Sequence, residues 1–141
     1  MEHTASTLEQ IENQIRAAKM YDVDAMVRVS RGNYSNLIRP LELDASGLIV
    51  PHCMTADDAR EIVYRTRFHP LGRRPLDGGN ADGSYCRIPT EQYLAQANAQ
   101  RFIMLQYPSD LPPSILQTRP VDEIPTVAPN LAPALAQPES I

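Results

Sequence analysis

The sequence predicts a small single α+β domain of about three helices and a short antiparallel β-hairpin or meander, followed by an extended, proline-rich C-terminal arm. Three patterns support this fold class: helical apolar spacing near the start, alternating side chains after it, and a concentration of prolines at the end. Eight of the 13 prolines lie in residues 108–141. Because proline lacks a backbone N–H and fixes φ, these residues cannot form a helix and are predicted to be polyproline-like or irregular. We therefore divide the chain into a body, residues 1–107, and an arm, residues 108–141.

The first predicted helix covers residues 7–20. Ser6 and Glu9 match the Ser-x-x-Glu capping box at its start. The apolar residues that follow at helical spacing are Leu8, Ile11, Ile15 and Ala18. This narrow apolar stripe predicts that the helix docks onto a sheet or onto another helix.

Two more helices are predicted downstream. Thr55 can cap a helix that runs to about Phe68, with acidic residues in its first turn. Thr90 can cap a helix that runs to about Ala99. Residues 101–107 fit either the last turns of that helix or a buried strand, and we expect the helix to continue.

The predicted hairpin or meander lies between the first two helices. Residues 24–30 alternate in polarity, and residues 36–42 and 48–50 are the other predicted strands. A turn sequence at residues 44–47 would join the last two. Glycine and proline then punctuate residues 69–87, and a loop of this length is usually functional, mobile or ordered by a partner.

Composition limits the class of protein. The 141 residues leave room for one domain and an arm, and the net charge of −4 argues against a dedicated nucleic-acid binder. No apolar run approaches the roughly 20 residues that cross a bilayer, and the start of the chain has no signal-peptide pattern. Cys53 and Cys86 are too few for a disulfide framework. We expect a cytoplasmic protein, or one in a virion assembled in the host cytoplasm.

Positive charge is densest in a segment that we call the Arg60–Arg87 basic cluster. Its members are Arg60, Arg65, Arg67, His69, Arg73, Arg74 and Arg87. Arginine forks match phosphate and carboxylate geometry, so the cluster could bind an acidic partner, and we select Arg73 and Arg74 as partner-binding residues. The alternative is a solvated helix face and loop in which nearby carboxylates act as counterions. Those carboxylates are Glu61, Asp77 and Asp82.

No motif for a metal, a cofactor or catalysis stands out. The soft ligands His52, Cys53, His69 and Cys86 lack the paired short spacing of a zinc site. A Cys–His nucleophile pair would lack an orienting third group. The Gly-rich residues 78–83 lack the ligand pattern of an EF-hand and the lysine of a P-loop. We therefore expect no catalytic residue, no metal and no cofactor.

These patterns favour a non-enzymatic structural or adaptor protein that binds neighbouring subunits through its arm and long loop. Apolar residues between the arm's prolines would contact those subunits: Val121, Ile124, Val127, Leu131 and Leu135. A bacteriophage head, neck or tail component in a homo- or hetero-oligomeric assembly is the concrete expectation. The alternative is a nucleic-acid-associated regulatory protein that uses the Arg60–Arg87 basic cluster, and a small enzyme has no supporting motif.

Overall fold

A computed structural model describes residues 3–107. In chain order its elements are α1 (Leu8–Met20), β1 (Met26–Arg28), α2 (Tyr34–Glu42), β2 (Gly47–Val50), α3 (Ala56–Thr66), a 3-10 helix (Ala81–Cys86), α4 (Thr90–Gln100) and β3 (Phe102–Leu105). None of the helices within this range has the length and hydrophobicity that spanning a membrane requires.

The three strands form one parallel sheet in the order β1-β2-β3. Met26 pairs with Gly47, and Gly47 pairs with Phe102 on its other side. The predicted antiparallel hairpin or meander is therefore wrong. Parallel neighbours require a crossover connection, and helices supply it here.

Helix α2 supplies the first crossover, where residues 36–42 were expected to form a strand. Asn33 caps it, because its side-chain oxygen accepts a hydrogen bond from the Ser35 N–H at 2.9 Å. Leu37, Ile38 and Leu41 are all buried, and their spacing belongs to one face of a helix. Pro40 removes one hydrogen bond from the last turn, but its ring is fully buried in the core.

The expectation that α4 continues through residues 101–107 is also wrong, because Phe102–Leu105 form strand β3. The helix ends at Gln100, and the next residue, Arg101, has an extended backbone with a ψ of 130°. The Arg101 guanidinium contacts Asp44 and donates to the Ala45 carbonyl at 3.1 Å, and Phe102 N–H donates to the Ser46 carbonyl at 3.2 Å. Tertiary contacts with the start of β2 therefore override the helical propensity of this segment.

Gly47 allows β3 to lie beside the start of β2. A Cβ atom at this position would collide with the Phe102 carbonyl oxygen. Any larger residue would push the two strands apart at the point where their pairing begins.

The predicted helices at residues 7–20, 56–68 and 90–99 are confirmed as α1, α3 and α4, with small changes at their ends. Thr55 caps α3 as expected: its side chain accepts from the Asp58 N–H, and the Asp58 carboxylate accepts from the Thr55 N–H in return. The capping box of α1 uses Thr7 and Gln10, one residue later than the predicted pair. The predicted strand at 48–50 is confirmed as part of β2. The predicted strand at 24–30 is confirmed in its central residues, which form β1.

The main core lies on one face of the sheet. Val27, Leu48 and Val50 point to this face and are at most 7% exposed, because α1, α2 and α3 cover them. Residues on the other face are Met26, Arg28, Gly47, Ile49, Phe102 and Met104, and we call this the open face. Among the described residues nothing covers it fully, since Phe102 and Met104 remain 43% and 51% exposed.

Candidate functional site

Polar side chains gather where the strands end. In a parallel sheet all carboxyl ends meet at one edge, and ligands of parallel α/β sheets bind there. The residues at this carboxyl edge are Arg28, Arg31, His52, Cys53, Gln106 and Tyr107. This edge is therefore the candidate functional site.

Gln106 connects all three strands at this edge. Its N–H donates to the Val50 carbonyl at 2.9 Å, and its carbonyl accepts from Cys53 N–H at 3.1 Å. Its side-chain Oε1 accepts a hydrogen bond from Arg28 Nη2 at 3.2 Å. The Gln106 amide oxygen is a neutral acceptor, and this hydrogen bond orients the Arg28 guanidinium.

Arg31 fixes the loop that follows β2. Its guanidinium donates to the His52 carbonyl and to Asp58 Oδ1. His52 has a left-handed φ of 57°, which turns the chain so that Cys53 returns into the core. Residues held in this conformation cost about 1–3 kcal/mol and occur often at functional sites.

The carboxylate that anchors this loop belongs to Asp58, in the first turn of α3. Hydrogen bonds from the Met54 and Thr55 N–H groups, both at 2.9 Å, lower the pKa of Asp58 below its ordinary value, and the Arg31 contact acts in the same direction. Asp58 therefore stays ionised at neutral pH. It anchors Arg31 and caps α3 at the same time.

Cys53 and Tyr107 form a second pair at the edge. The Cys53 side chain is completely buried, and burial followed by the charge of Asp58 raises the pKa of its thiol. The pKa of Tyr107 is also raised, chiefly by desolvation and further by the neighbouring Cys53. Because the thiolate is the reactive form, this cysteine is a poor nucleophile at neutral pH.

The opposite, amino edge of the sheet also carries charged side chains. Asp44 lies between Arg101 and Lys19, and its Oδ2 is 2.6 Å from Lys19 Nζ. Lys19 is the single lysine of the sequence. A lysine Schiff base is consequently not available at the carboxyl edge.

Within residues 3–107, no three His, Cys, Asp or Glu side chains stand close enough together to hold a metal ion. Of the soft ligands considered from the sequence, Cys53 is buried below the carboxyl edge, and Cys86 is exposed at the end of the 3-10 helix.

The Arg60–Arg87 basic cluster separates into local contacts. Arg60 pairs with Asp57 and Arg65 with Glu61, each at 2.5 Å on the surface of α3. Arg67 donates to backbone carbonyls at the end of α4, including that of Asn98 at 3.0 Å. These contacts agree with the alternative in which nearby carboxylates act as counterions.

Arg73 and Arg74 have different environments. Arg73 is exposed, and its role in binding a partner stays a prediction. The Arg74 side chain is 2% exposed and forms a buried ion pair with Asp82 at 2.5 Å. A partner contact through Arg74 would require this pair to open, which is costly for buried charges.

A small second core surrounds that ion pair. The Arg74 guanidinium lies 4.5 Å from the centre of the Phe68 ring, and Tyr93 packs edge-on against Phe68 at 5.2 Å. The Tyr93 hydroxyl donates to Asp82 at 2.8 Å, and desolvation raises the pKa of Tyr93, so it remains a donor. These contacts fold part of the long loop at 69–87 against α4.

The arm residues chosen as partner-binding lie outside the described residues. They are Val121, Ile124, Val127, Leu131 and Leu135. Sequence reasoning overlooked Arg28 and Gln106, which lie 78 positions apart in the chain. Both residues lie at the ends of apolar segments, and this was the sequence signal that could have identified them. The signal points to a shared site only if the two segments are known to be parallel strands.

Comparison with known proteins gives relatives along most of the chain. The chain matches no protein-family model. The 2-keto-3-deoxy-L-rhamnonate aldolase of Klebsiella pneumoniae is 33% identical over 109 residues, which cover 77% of this chain and 40% of that enzyme. The enzyme of the same name from Salmonella gallinarum is 27% identical and covers 99% of this chain and 53% of its own length. The chain thus spans about half, or less, of the curated relatives that it matches.

Solved structures agree with these relatives. An HpcH/HpaI aldolase from Desulfitobacterium hafniense matches with a TM-score of 0.69 and 27% identity, over 75% of this chain and 40% of that one. An HpcH/HpaI aldolase/citrate lyase family protein from Burkholderia cenocepacia matches with a TM-score of 0.66 and 29% identity, over 74% and 42%. The described residues have part of this TIM-barrel-like fold.

These comparisons correct the function expected from the sequence. The relatives are aldolases, so the expectation of a non-enzymatic structural, adaptor or virion protein is wrong. The alternative of a nucleic-acid-associated regulator gains no support from them. The error arose because no catalytic motif is contiguous in the sequence, whereas the carboxyl edge is assembled from three separate segments.

Proposed function

We propose that this chain is a carbon–carbon lyase of the aldolase type that acts on a 2-keto-3-deoxy sugar acid, with Arg28 binding the substrate carboxylate. The observation that carries the proposal is the position of Arg28 at the carboxyl edge, oriented by Gln106, in a fold shared with aldolases. We also infer a cytoplasmic location, which would keep the exposed Cys86 thiol reduced.

The chemistry of such a substrate defines what the edge must do. A retro-aldol reaction breaks the bond between C3 and C4, and the C4 hydroxyl loses its proton as the aldehyde forms. The electron pair of the broken bond passes to C3 and the C2 carbonyl as an enolate, which is then protonated at C3 to give pyruvate. A cation beside the C1 carboxylate and C2 oxygen stabilises the negative charge that develops there.

Arginine suits this position for geometric reasons. Its planar guanidinium presents two parallel N–H donors to a carboxylate, and it stays charged at every physiological pH. Gln106 fixes the Arg28 head, which limits the freedom that would be lost when substrate binds. Arg31 lies at the same edge, but it contacts the His52 carbonyl and the Asp58 carboxylate, so its role is to hold the loop after β2 in place.

The test is cleavage of 2-keto-3-deoxy-L-rhamnonate, measured as pyruvate released over time. We expect the intact chain to form pyruvate and the Arg28→Lys variant to lose about 100-fold in kcat/KM, because lysine offers a point charge instead of a fork. Arg39→Lys is the matched control, since Arg39 is a surface residue of α2 that contacts Glu42. The absence of pyruvate with the intact chain would contradict the proposed activity, and an equal rate in Arg28→Lys would remove the role of Arg28.

A further inference from the structure

A bulge interrupts the pairing of β2 with β3 at the carboxyl edge. The pairing is regular up to the last residue of β2, Val50. If the parallel ladder continued, Gln106 N–H would donate to the Val50 carbonyl and the Gln106 carbonyl would accept from His52 N–H. The first bond is present at 2.9 Å, but the second comes from Cys53 N–H at 3.1 Å. One extra residue is therefore inserted in the chain opposite Gln106.

The bulge leaves the side chain of His52 at the surface. The φ of His52 is 57°, in the left-handed region. Its neighbours Pro51 and Cys53 are both buried, whereas His52 is exposed. Bulges occur often next to active sites, where they change the direction of a side chain. Because the neighbours supply the packing, the core gives no reason for a histidine at this position.

Contacts on both sides fix the backbone of His52. On one side the Arg31 guanidinium donates to the His52 carbonyl, and Arg31 is itself held by Asp58. On the other side the N–H of the next residue, Cys53, donates to the Gln106 carbonyl. The bulge is thus tied to the loop after β1 and to the end of β3. It holds the exposed histidine in the middle of the carboxyl edge.

His52 is also next to the residues that would hold the substrate under the proposed function. Gln106 connects them, because its backbone carbonyl accepts from the residue after His52 and its side chain accepts from Arg28 at 3.2 Å. In a 2-keto-3-deoxy sugar acid, C4 is only three bonds from the carboxylate carbon that Arg28 would bind. A side chain beside Gln106 is therefore in the region where the C4 hydroxyl must lie.

The proposed reaction needs a group in this region that accepts and returns a proton. Imidazole is the side chain that proteins use most often for this purpose near neutral pH. The arginines of the edge stay protonated at every physiological pH. Burial raises the pKa of the Cys53 thiol, and desolvation raises that of the Tyr107 hydroxyl. The Asp58 carboxylate already accepts from backbone N–H groups and contacts Arg31.

We propose that His52 transfers the proton in this reaction, an inference that rests on the proposed function. An imidazole nitrogen takes the proton of the C4 hydroxyl as the bond between C3 and C4 breaks, and the C4 oxygen becomes the aldehyde carbonyl. The electron pair of the broken bond forms the enolate. The imidazolium then gives its proton to C3, which yields pyruvate and restores the neutral imidazole.

The test compares the intact chain with His52→Asn and His52→Gly. Asparagine and glycine both tolerate a left-handed backbone, so the bulge is kept, and circular dichroism verifies the fold. Pyruvate release from 2-keto-3-deoxy-L-rhamnonate gives kcat and KM. NMR in deuterium oxide follows the exchange of the methyl protons of pyruvate. We expect both variants to lose at least about 100-fold in kcat and in the exchange rate, with KM within about threefold of the intact chain.

Added imidazole separates a catalytic role from a structural one. His52→Gly leaves space at the bulge, and free imidazole should raise its rate at least about tenfold by replacing the missing side chain. His69→Gly is the matched control, because His69 is exposed and follows Phe68, whose N–H donates to Asn98 near the end of α4. This control should keep the rates of the intact chain, and imidazole should not change them.

Other outcomes would overturn the inference, and they separate it from the proposed function. Cleavage by the intact chain with unchanged kcat and exchange in His52→Asn would remove the role of His52 and leave the proposed function standing. A loss in both variants that imidazole does not restore would assign His52 to the structure of the bulge. The absence of both cleavage and exchange with the intact chain would overturn the proposed function and this inference together.

Discussion

The two edges of the sheet each hold an arginine, and their acceptors differ in charge. At the amino edge, Arg101 contacts the carboxylate of Asp44 and donates to the Ala45 carbonyl. At the carboxyl edge, Arg28 donates to the neutral amide of Gln106. The first arrangement joins two segments of the chain through an ion pair, and the second fixes the direction of the Arg28 guanidinium. Under the proposed function, Arg101 would have a structural role and Arg28 a role in binding substrate.

The largest expected effect on stability is at the amino edge. Arg101→Ala should lower the free energy of unfolding by about 2–3 kcal/mol, because it leaves the mostly buried Asp44 carboxylate without its guanidinium and frees the turn before β3. Urea unfolding followed by circular dichroism measures this difference. Arg60→Ala, at the exposed Arg60–Asp57 pair of α3, is the control and should change the value by less than about 0.5 kcal/mol. Equal values for the two variants would contradict the structural role of the amino edge.

A smaller effect should appear at the carboxyl edge as acid is added. The folded pKa of Asp58 lies below the ordinary aspartate value of 3.8, so its contribution to stability is present above the unfolded pKa and is lost as pH falls through the folded pKa. Wild type should therefore lose more stability than Asp58→Asn between about pH 5 and pH 2.

The control for this pH dependence is Asp57→Asn, one position earlier in the same turn. The Asp57 side chain is 89% exposed and pairs with the exposed Arg60. Its acid profile should follow that of wild type. Parallel profiles for wild type and Asp58→Asn, measured as melting temperature at each pH, would show that Asp58 is not the group responsible.

The smallest effect on stability is expected at Arg28 itself. Arg28→Ala should change the free energy of unfolding by less than about 1 kcal/mol, since Gln106 keeps its backbone hydrogen bonds to Val50 and Cys53. The same variant should lose cleavage of the sugar acid. A loss of stability as large as that of Arg101→Ala would mean that both edges are structural, and the comparison between them would fail.

Local signals predicted much of the fold. Caps and apolar spacing identified α1, α3 and α4, because both act within a few residues of each other. Strand direction was missed because it depends on what joins two strands. Residues 36–42 form a crossover helix, and interpreting them as a strand turned a parallel pair into a hairpin.

The candidate site could not be assembled from the sequence for the same reason. Arg28 and Gln106 meet only because β1 and β3 run in the same direction on either side of β2. In an antiparallel arrangement their ends would lie at opposite edges. The Arg60–Arg87 basic cluster was the predicted binding region instead. The structure shows several of its arginines paired with neighbouring carboxylates.

The most direct test of the functional carboxyl edge is a titration of the full chain with pyruvate, followed by NMR of the arginine Nε–Hε and glutamine side-chain amide signals. Arg28→Lys and Arg101→Lys would assign the two arginine signals. We expect the signals of Arg28 and Gln106 to shift together and saturably, while that of Arg101 stays unchanged because Asp44 already holds it. Shifts at Arg101, or the absence of any saturable shift at Arg28, would contradict the claim that the carboxyl edge binds a 2-keto acid.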